Sequence, residues 1–268
     1  MPVWTLYGIS RGRATTPWTD KDGAAAQPGV LGLPRYHADR CQDNCRACVD
    51  VCLPGALSLA PSESGERLAL DYGKCIGCQL CTEACPNDAL TKSEDWAFGV
   101  RNREDLIWAE ALKSAPAEEV ARKIQKYFGR SLHIRHVDAG SCNGCESELQ
   151  ALNNPYYNLH RLGIFFTPSP RFADLLLVTG PVTYAMRGPL METYNAMPEP
   201  RWVMAMGTCA VSGGASGGGY SCGHGVEEFL AVDIYVPGCP PNPSAMIHAL
   251  LLLLNRASQH VQGGQVAH

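Results

Sequence analysis

The chain has 268 residues, 46% of them hydrophobic, which is enough for two domains with a sizeable buried core. A formal net charge of −4 argues against bulk electrostatic binding to a phosphate backbone, so no nucleic-acid partner is expected. Thirteen cysteines stand out, and "MPVWTLYGIS" holds no apolar stretch of signal-peptide length. The expectation is therefore a cytoplasmic protein whose cysteines bind metal instead of pairing in disulfides.

Residues 1–40 are rich in Pro, Gly, Ala and Arg without sustained periodicity. They read as an arm laid on a partner or as a disordered leader. Residues 41–91 carry eight cysteines in two runs separated by the polar turn "SESGER". Each run ends in a small helical signal, "PGAL" and "PNDAL", so the segment reads as an internal duplication. Residues 92–130 form a charge-dense helical linker, with Pro116 opening its second helix and Val120, Ile124, Tyr127 and Phe128 on one face. Packing on the next domain is the ordinary role for that face, and lying on a membrane surface is the alternative.

From 131 to 256 the pattern is α/β. "LHIRHVD" reads as a strand and "ESELQAL" as a helix start, while "ADLLLVTG", "RWVMAMG" and "VDIYVPG" suit strands of a parallel sheet buried on both faces. "PSAMIHALLLLLN" is the closing helix. Its apolar run Ala245–Leu254 is too short to cross a bilayer. Residues 257–268 read as a frayed tail. Each strand hands over to a loop carrying Cys or Gly, where ligands of open α/β sheets gather.

The second cysteine run, "CIGCQLCTEACP", places Cys75, Cys78, Cys81 and Cys85 at the C-x2-C-x2-C-x3-C-P spacing of bacterial ferredoxins. Three thiolates on a tight loop can each reach one iron of a cube, and the fourth, at the start of a short helix, points away to serve the other cube. The first run, "CQDNCRACVDVCLP", holds Cys41, Cys45, Cys48 and Cys52. It departs from the pattern in a three-residue first gap and in Pro54, which lies one residue late. If the runs exchange fourth ligands, one cluster takes Cys41, Cys45, Cys48 and Cys85, and the other Cys75, Cys78, Cys81 and Cys52. A pair of zinc sites is the rival, but zinc ribbons use two C-x2-C pairs, not four cysteines per run.

In "SCNGCESE", Cys142 and Cys145 follow the first strand of the α/β domain, and Cys209 in "MGTCAVSGG" and Cys239 in "YVPGCPPNP" follow later ones. Adjacent parallel strands bring such loops together, so the four thiolates are expected to form one site. Gly207, Gly213, Gly214 and Gly238 would let backbone N–H groups approach sulfur. A redox pair at Cys142 and Cys145 leaves Cys209 and Cys239 unexplained. A four-cysteine zinc site fits the count but carries no electron. "SGGASGGGY" lacks the ending of a phosphate-binding loop and reads as close packing. Cys222 reads as a spare thiol. Glu146 and Glu148 fall in the first helical turn, where acids favour the dipole, and Glu148 is the candidate proton relay.

"VDAGSCNGCESEL", "SPRFADLLLVTGPVTYAMRGPL", "GTCAVSGG" and "VDIYVPGCPPNP" resemble the small subunit of membrane-bound, formate-hydrogenlyase-type (group 4) [NiFe] hydrogenases, a family that includes the small cluster-bearing subunit of complex I. Residues 1–115, with "SRGRATTPW", resemble the dicluster ferredoxin subunit of the same enzymes, as if two subunits were fused. The resemblance implies an α/β flavodoxin-like parallel-sheet domain preceded by an α+β dicluster ferredoxin domain. It implies three [4Fe–4S] clusters in all, that of Cys142, Cys145, Cys209 and Cys239 being nearest the catalytic large subunit, and it matches Glu148 to the family's acidic residue. The [NiFe] site would lie in the partner large subunit, because no second set of four cysteines remains here. The implied function is electron transfer to or from that site. Implied partners are the large subunit, membrane subunits, and an electron donor or acceptor subunit or soluble carrier, on the inner face of the cell membrane. In complex I the cysteines matching Cys142 and Cys145 are adjacent, so the x2 spacing favours the hydrogenase branch. The alternatives are a complex I-like quinone oxidoreductase module and a stand-alone carrier.

Overall fold

The computed structural model describes residues 3–12, 15–16, 30–62, 65–109 and 131–266. The expected helix beyond Pro116, with Val120, Ile124, Tyr127 and Phe128, lies outside them. A helix, α1 (Val3–Arg11), occupies part of the arm. Val3, Leu6 and Tyr7 keep helical spacing over too short a run to stand out in sequence, and all three are exposed.

The cysteine-rich module contains β1 (Arg35–Tyr36), α2 (Ala47–Asp50), β2 (Leu57–Ser62), β3 (Gly65–Asp71), α3 (Leu80–Ala84), β4 (Leu90–Thr91) and β5 (Ile107–Trp108). Antiparallel β2 and β3 pair Leu57 with Leu70 and Leu59 with Leu68, and β5 joins them through Leu70 and Trp108. β1 and β4 form a second antiparallel pair, Tyr36 opposite Leu90. The duplication thus becomes two small β units with α2 and α3 packed against each other. "PGAL" and "PNDAL" are not helical: they are turns leading into β2 and β4, and the helices lie before the prolines. Proline forces its predecessor out of the helical region, and Cys85, before Pro86, is extended (ψ 114°). The first half of the expected linker is not helical beyond one 3-10 turn (Arg103–Leu106) and instead supplies β5. Leu106 and Trp108 are buried, and Arg103 pairs with Asp71 at 2.7 Å.

The second module follows as β6 (Leu132–Asp138), α4 (Gly144–Ala151), β7 (Ile164–Phe166), β8 (Leu175–Thr179), α5 (Tyr184–Asn195), β9 (Trp202–Met206), α6 (Thr208–Ser212), β10 (Ile234–Val236) and α7 (Pro243–Leu253). Its five strands run parallel in the order β10-β9-β8-β6-β7, the flavodoxin-like doubly wound order. Every residue of β8, β9 and β10 is buried, as continuous apolar runs predict for a sheet covered on both faces. α7 is buried along nearly its whole length, with Pro243 in its first turn and the Asn242 side chain accepting the Ala245 N–H at 2.7 Å. β7 escapes the sequence reading because three residues of "IFF" carry no period.

Backbone pairing joins the modules. Val100 and Tyr235 exchange N–H···O bonds of 3.0 and 2.8 Å. Gly99 admits α7 so closely that an added Cβ would sit 2.9 Å from that of Ala249. Residues 257–266 do not fray. β11 (Val261–Gln262) and β12 (Gln265–Val266) form a hairpin, Val261 is fully buried, and the Gly264 N–H donates to the Asp105 carbonyl at 2.9 Å.

Candidate cluster-binding sites

Cys41, Cys45, Cys48 and Cys85 line one cavity of about 320 Å³, its solvent-facing mouth included. Cys52, Cys75, Cys78 and Cys81 line a second, of about 370 Å³. The exchange of the fourth cysteine follows from the helices: Cys52 lies just beyond α2 and Cys85 just beyond α3, and the two helices touch. Asn44 (φ 59°), Gln79 (φ 63°) and Gly77 (φ 70°) adopt the left-handed backbone that lets each loop turn tightly around its cavity. The Gly77 N–H donates to Cys75 Sγ at 3.4 Å and the Ala89 N–H to Cys85 Sγ at 3.2 Å.

The third group stands at the carboxyl ends of the parallel strands. Cys142 and Cys145 follow β6, which lies beside β8 at the point where the strand order reverses. Cys209 is the second residue of α6, after β9, and Cys239 follows β10. Gly207 has φ 88°, and a Cβ there would lie 2.6 Å from Cys145 Sγ; one on Gly214 would lie 2.8 Å from Cys209 Sγ. Glycine is required at both if backbone and sulfur are to meet. Cys142 and Cys239 are exposed, and Cys145 and Cys209 are half-buried.

All thirteen cysteines are free thiols. Burial pushes the thiols of Cys48, Cys81 and Cys145 up to about 12 and that of Cys75 to about 11, and neighbouring cysteines add to the rise. Burial also raises Cys209 and Cys239. Thiols so crowded ionise readily only against a cation, and iron supplies one. A zinc site needs four donors at ~2.0–2.3 Å from a single centre. A cube gives each thiolate its own iron, and four thiolates around a wide apolar cavity fit that group.

Of the two acids singled out, Glu146 is the more connected. Its carboxylate, 12% exposed, accepts from the Thr179 hydroxyl and from Ser141 Oγ at 2.6 Å, and His136 Nε2 lies 3.6 Å away. Burial holds His136 below its ordinary value, against the pull of Glu146. The Ser141 and Gly140 N–H groups outweigh burial at Asp138 and keep its carboxyl low. Glu148 is half-buried, and burial alone raises it. Sequence reasoning missed His136, one of several polar residues within β6, and Thr179, the single polar residue that ends apolar β8. Cys222 is buried, and its thiol donates to the Ser216 carbonyl at 2.8 Å.

These features define a two-module iron–sulfur protein, and the known proteins it resembles agree. Residues 40–89 match the 4Fe-4S dicluster domain, and residues 142–253 match the NADH ubiquinone oxidoreductase, 20 Kd subunit. Formate hydrogenlyase subunit 7 of Escherichia coli (strain K12) is 40% identical over 136 residues, 51% of this chain and 53% of its own length. A membrane-bound hydrogenase subunit of Pyrococcus furiosus is 37% identical over 146 residues, 54% of this chain and 87% of its own length. A chain of the membrane-bound sulfane sulfur reductase, an archaeal respiratory membrane complex, superposes with a TM-score of 0.42 at 33% identity, covering 50% of this chain and 76% of that one. The chain spans about half the length of the E. coli relative. It belongs to the NADH ubiquinone oxidoreductase 20 Kd subunit family, with a 4Fe-4S dicluster domain on its N-terminal side.

Proposed function

We propose that the chain is the electron-transfer subunit of a membrane-associated [NiFe] hydrogenase complex and holds three [4Fe–4S] clusters. Cys41, Cys45, Cys48 and Cys85 would hold the first, Cys52, Cys75, Cys78 and Cys81 the second, and Cys142, Cys145, Cys209 and Cys239 the third. The observation that carries this reading is the gathering of twelve of the thirteen cysteines into three sets of four, two of them sharing one module and the third at strand ends. When bound, the clusters supply one-electron carriage, and the hydrogen chemistry belongs to the partner's metals.

The chain's own contribution is ligation, burial and hydrogen bonding. Leu57 and Leu70 wall the second site and Leu68 the first. The N–H groups of Gly77 and Ala89 stabilise negative charge on the Cys75 and Cys85 sulfurs, one of the levers that set a cluster's potential. The exposed edge at Cys142 and Cys239 is where a catalytic large subunit would sit. Among the described residues no helix is long and apolar enough to cross a membrane. Attachment would run through membrane subunits of the complex, on the inner face. Electrons would come from, or leave to, a donor or acceptor subunit or a soluble carrier.

The test is nickel and iron analysis of the complex purified through this chain, paired with a hydrogenase assay. The expected result is ~12 iron on this chain, nickel in the partner, and hydrogen–proton exchange with low-potential dyes. Full iron without nickel, together with quinone-reductase activity, would replace hydrogenase with the complex I-like reading.

A further inference from the structure

Thr208 lies where a cysteine loop of the dicluster module meets the cysteine loops of the parallel-sheet module. It is 1% exposed. Its hydroxyl donates to the Cys75 carbonyl at 2.9 Å and accepts the Gly238 N–H at 3.2 Å. Its own N–H donates to the Gly238 carbonyl at 2.9 Å. Thr208 directly precedes Cys209, and Gly238 directly precedes Cys239. One hydroxyl therefore ties together the backbones that carry Cys75, Cys209 and Cys239. The arrangement has a single sense: a carbonyl can only accept, so the hydroxyl proton must point to Cys75, which leaves the oxygen lone pairs for Gly238.

We propose that Thr208 is a positioning residue that sets the electronic coupling between the Cys75 site and the Cys209–Cys239 site. The proposal rests on the reading that both sites hold clusters. Electron tunnelling through protein weakens steeply across gaps and less along covalent and hydrogen bonds. From the Cys75 carbonyl to Cys209 the route contains one hydrogen bond and otherwise only covalent bonds. A second branch runs through Gly238 to Cys239. The transfer is balanced without chemistry at the threonine: one electron leaves one site and enters the other, no bond forms or breaks, and the hydroxyl keeps its proton. A valine of the same shape would keep the packing and lose both branches, whereas a serine would keep the hydroxyl and lose only a methyl group.

The experiment uses the full chain with its clusters in place, as wild type, Thr208→Val and Thr208→Ser. Three quantities are read: iron content, the potential of each cluster by electron paramagnetic resonance titration, and the rate at which the clusters equilibrate after flash photoreduction. Thr208→Val should keep iron, potentials and any through-space spin–spin splitting, which depends on distance alone, and should equilibrate more slowly. Thr208→Ser should match wild type. A Thr208→Val protein with iron kept and a wild-type rate overturns the proposal, and so does a Thr208→Ser protein as slow as the valine variant. Should Thr208→Val lose a cluster, the smaller Thr208→Ala takes its place beside Thr208→Ser: with iron kept, a slow alanine variant supports the hydroxyl, and a wild-type rate in it overturns the proposal. Wild-type protein without iron at one of the two sites overturns the cluster reading itself, before any variant is compared.

Discussion

Cys85 shares its cavity with Cys48, a residue of the other cysteine run, and not with Cys81 of its own. After burial, the charge of Cys85 is the largest influence raising the Cys48 thiol. The two runs therefore cannot be read as two independent sites, and each site depends on both.

That dependence gives the first prediction. Cys85→Ser should deplete the site of Cys41, Cys45 and Cys48, and Cys52→Ser the site of Cys75, Cys78 and Cys81, because a hydroxyl is a poor ligand for soft metal sites. Each variant should lose up to ~4 of ~12 iron, and electron paramagnetic resonance should show which signal is missing. If Cys85→Ser instead removes the signal lost in Cys81→Ser, the exchange is wrong.

Cys239 and Cys222 should separate cleanly. Cys239→Ser should lose the third site's iron or convert its signal. Cys222→Ser should keep all iron, because a serine hydroxyl can also donate to the Ser216 carbonyl. Iron per chain and the reduced-state spectrum of each variant provide the check.

Gly214 has φ 63°, and an added Cβ would sit 2.8 Å from Cys209 Sγ. Gly214→Ala should displace that sulfur and cost about 1–2 kcal/mol in backbone strain besides. The expected outcome is a protein with iron at the first two sites and a depleted third. Unchanged third-site iron would show that the loop can shift without losing its grip on Cys209.

The acids of α4 should differ. Glu146→Gln places an amide where a carboxylate takes two hydroxyl donors, and a mismatched buried hydrogen bond costs roughly 1–3 kcal/mol. It should lower the thermal midpoint. Glu148→Gln should leave the midpoint and iron unchanged while slowing turnover of the assembled complex, since the amide cannot cycle a proton. Turnover unchanged across pH would reduce Glu148 to a helix-start acid.

His248 sets an acid limit on stability. Burial, with the His260 charge, lowers it to about 4, and its ring lies 3.0 Å from the Ser258 carbonyl. The unfolded chain takes up the proton near pH ~6.5. The contribution is therefore full above that pH and is lost as pH falls toward 4, at about 1.4 kcal/mol per pH unit. Thermal midpoints at pH 7.5 and 5 should lie closer together in His248→Gln than in wild type.

The cysteine spacings and the apolar runs were legible in the sequence because both are local. Three thiolates spaced by two residues on one tight loop can share a cavity whatever the rest of the chain does, and a buried parallel strand must be apolar at successive positions. The spacing offered the exchange of Cys52 and Cys85 only as a condition and put each helix after its fourth cysteine, whereas α2 and α3 precede Cys52 and Cys85 and carry them to the cavity of the other run. Strands of two or three residues, such as β4, β5 and β7, carry no period, and only their partners in space make them strands. The tail looked polar and loose, yet "VQGGQV" closes a hairpin because Val261 buries fully and the Asp105 carbonyl accepts the Gly264 N–H across the module seam. The choice of Glu146 over Glu148 as the networked acid needed Thr179 and Ser141, on two other segments. Thr208 was one more residue in "MGTCAVSGG" until folding set its hydroxyl between Cys75 and Gly238. A ligand's spacing is written along the chain. The partner of a buried hydroxyl or carboxylate is decided only when distant segments close around it, because burial makes a hydrogen-bond partner obligatory and the fold alone supplies one.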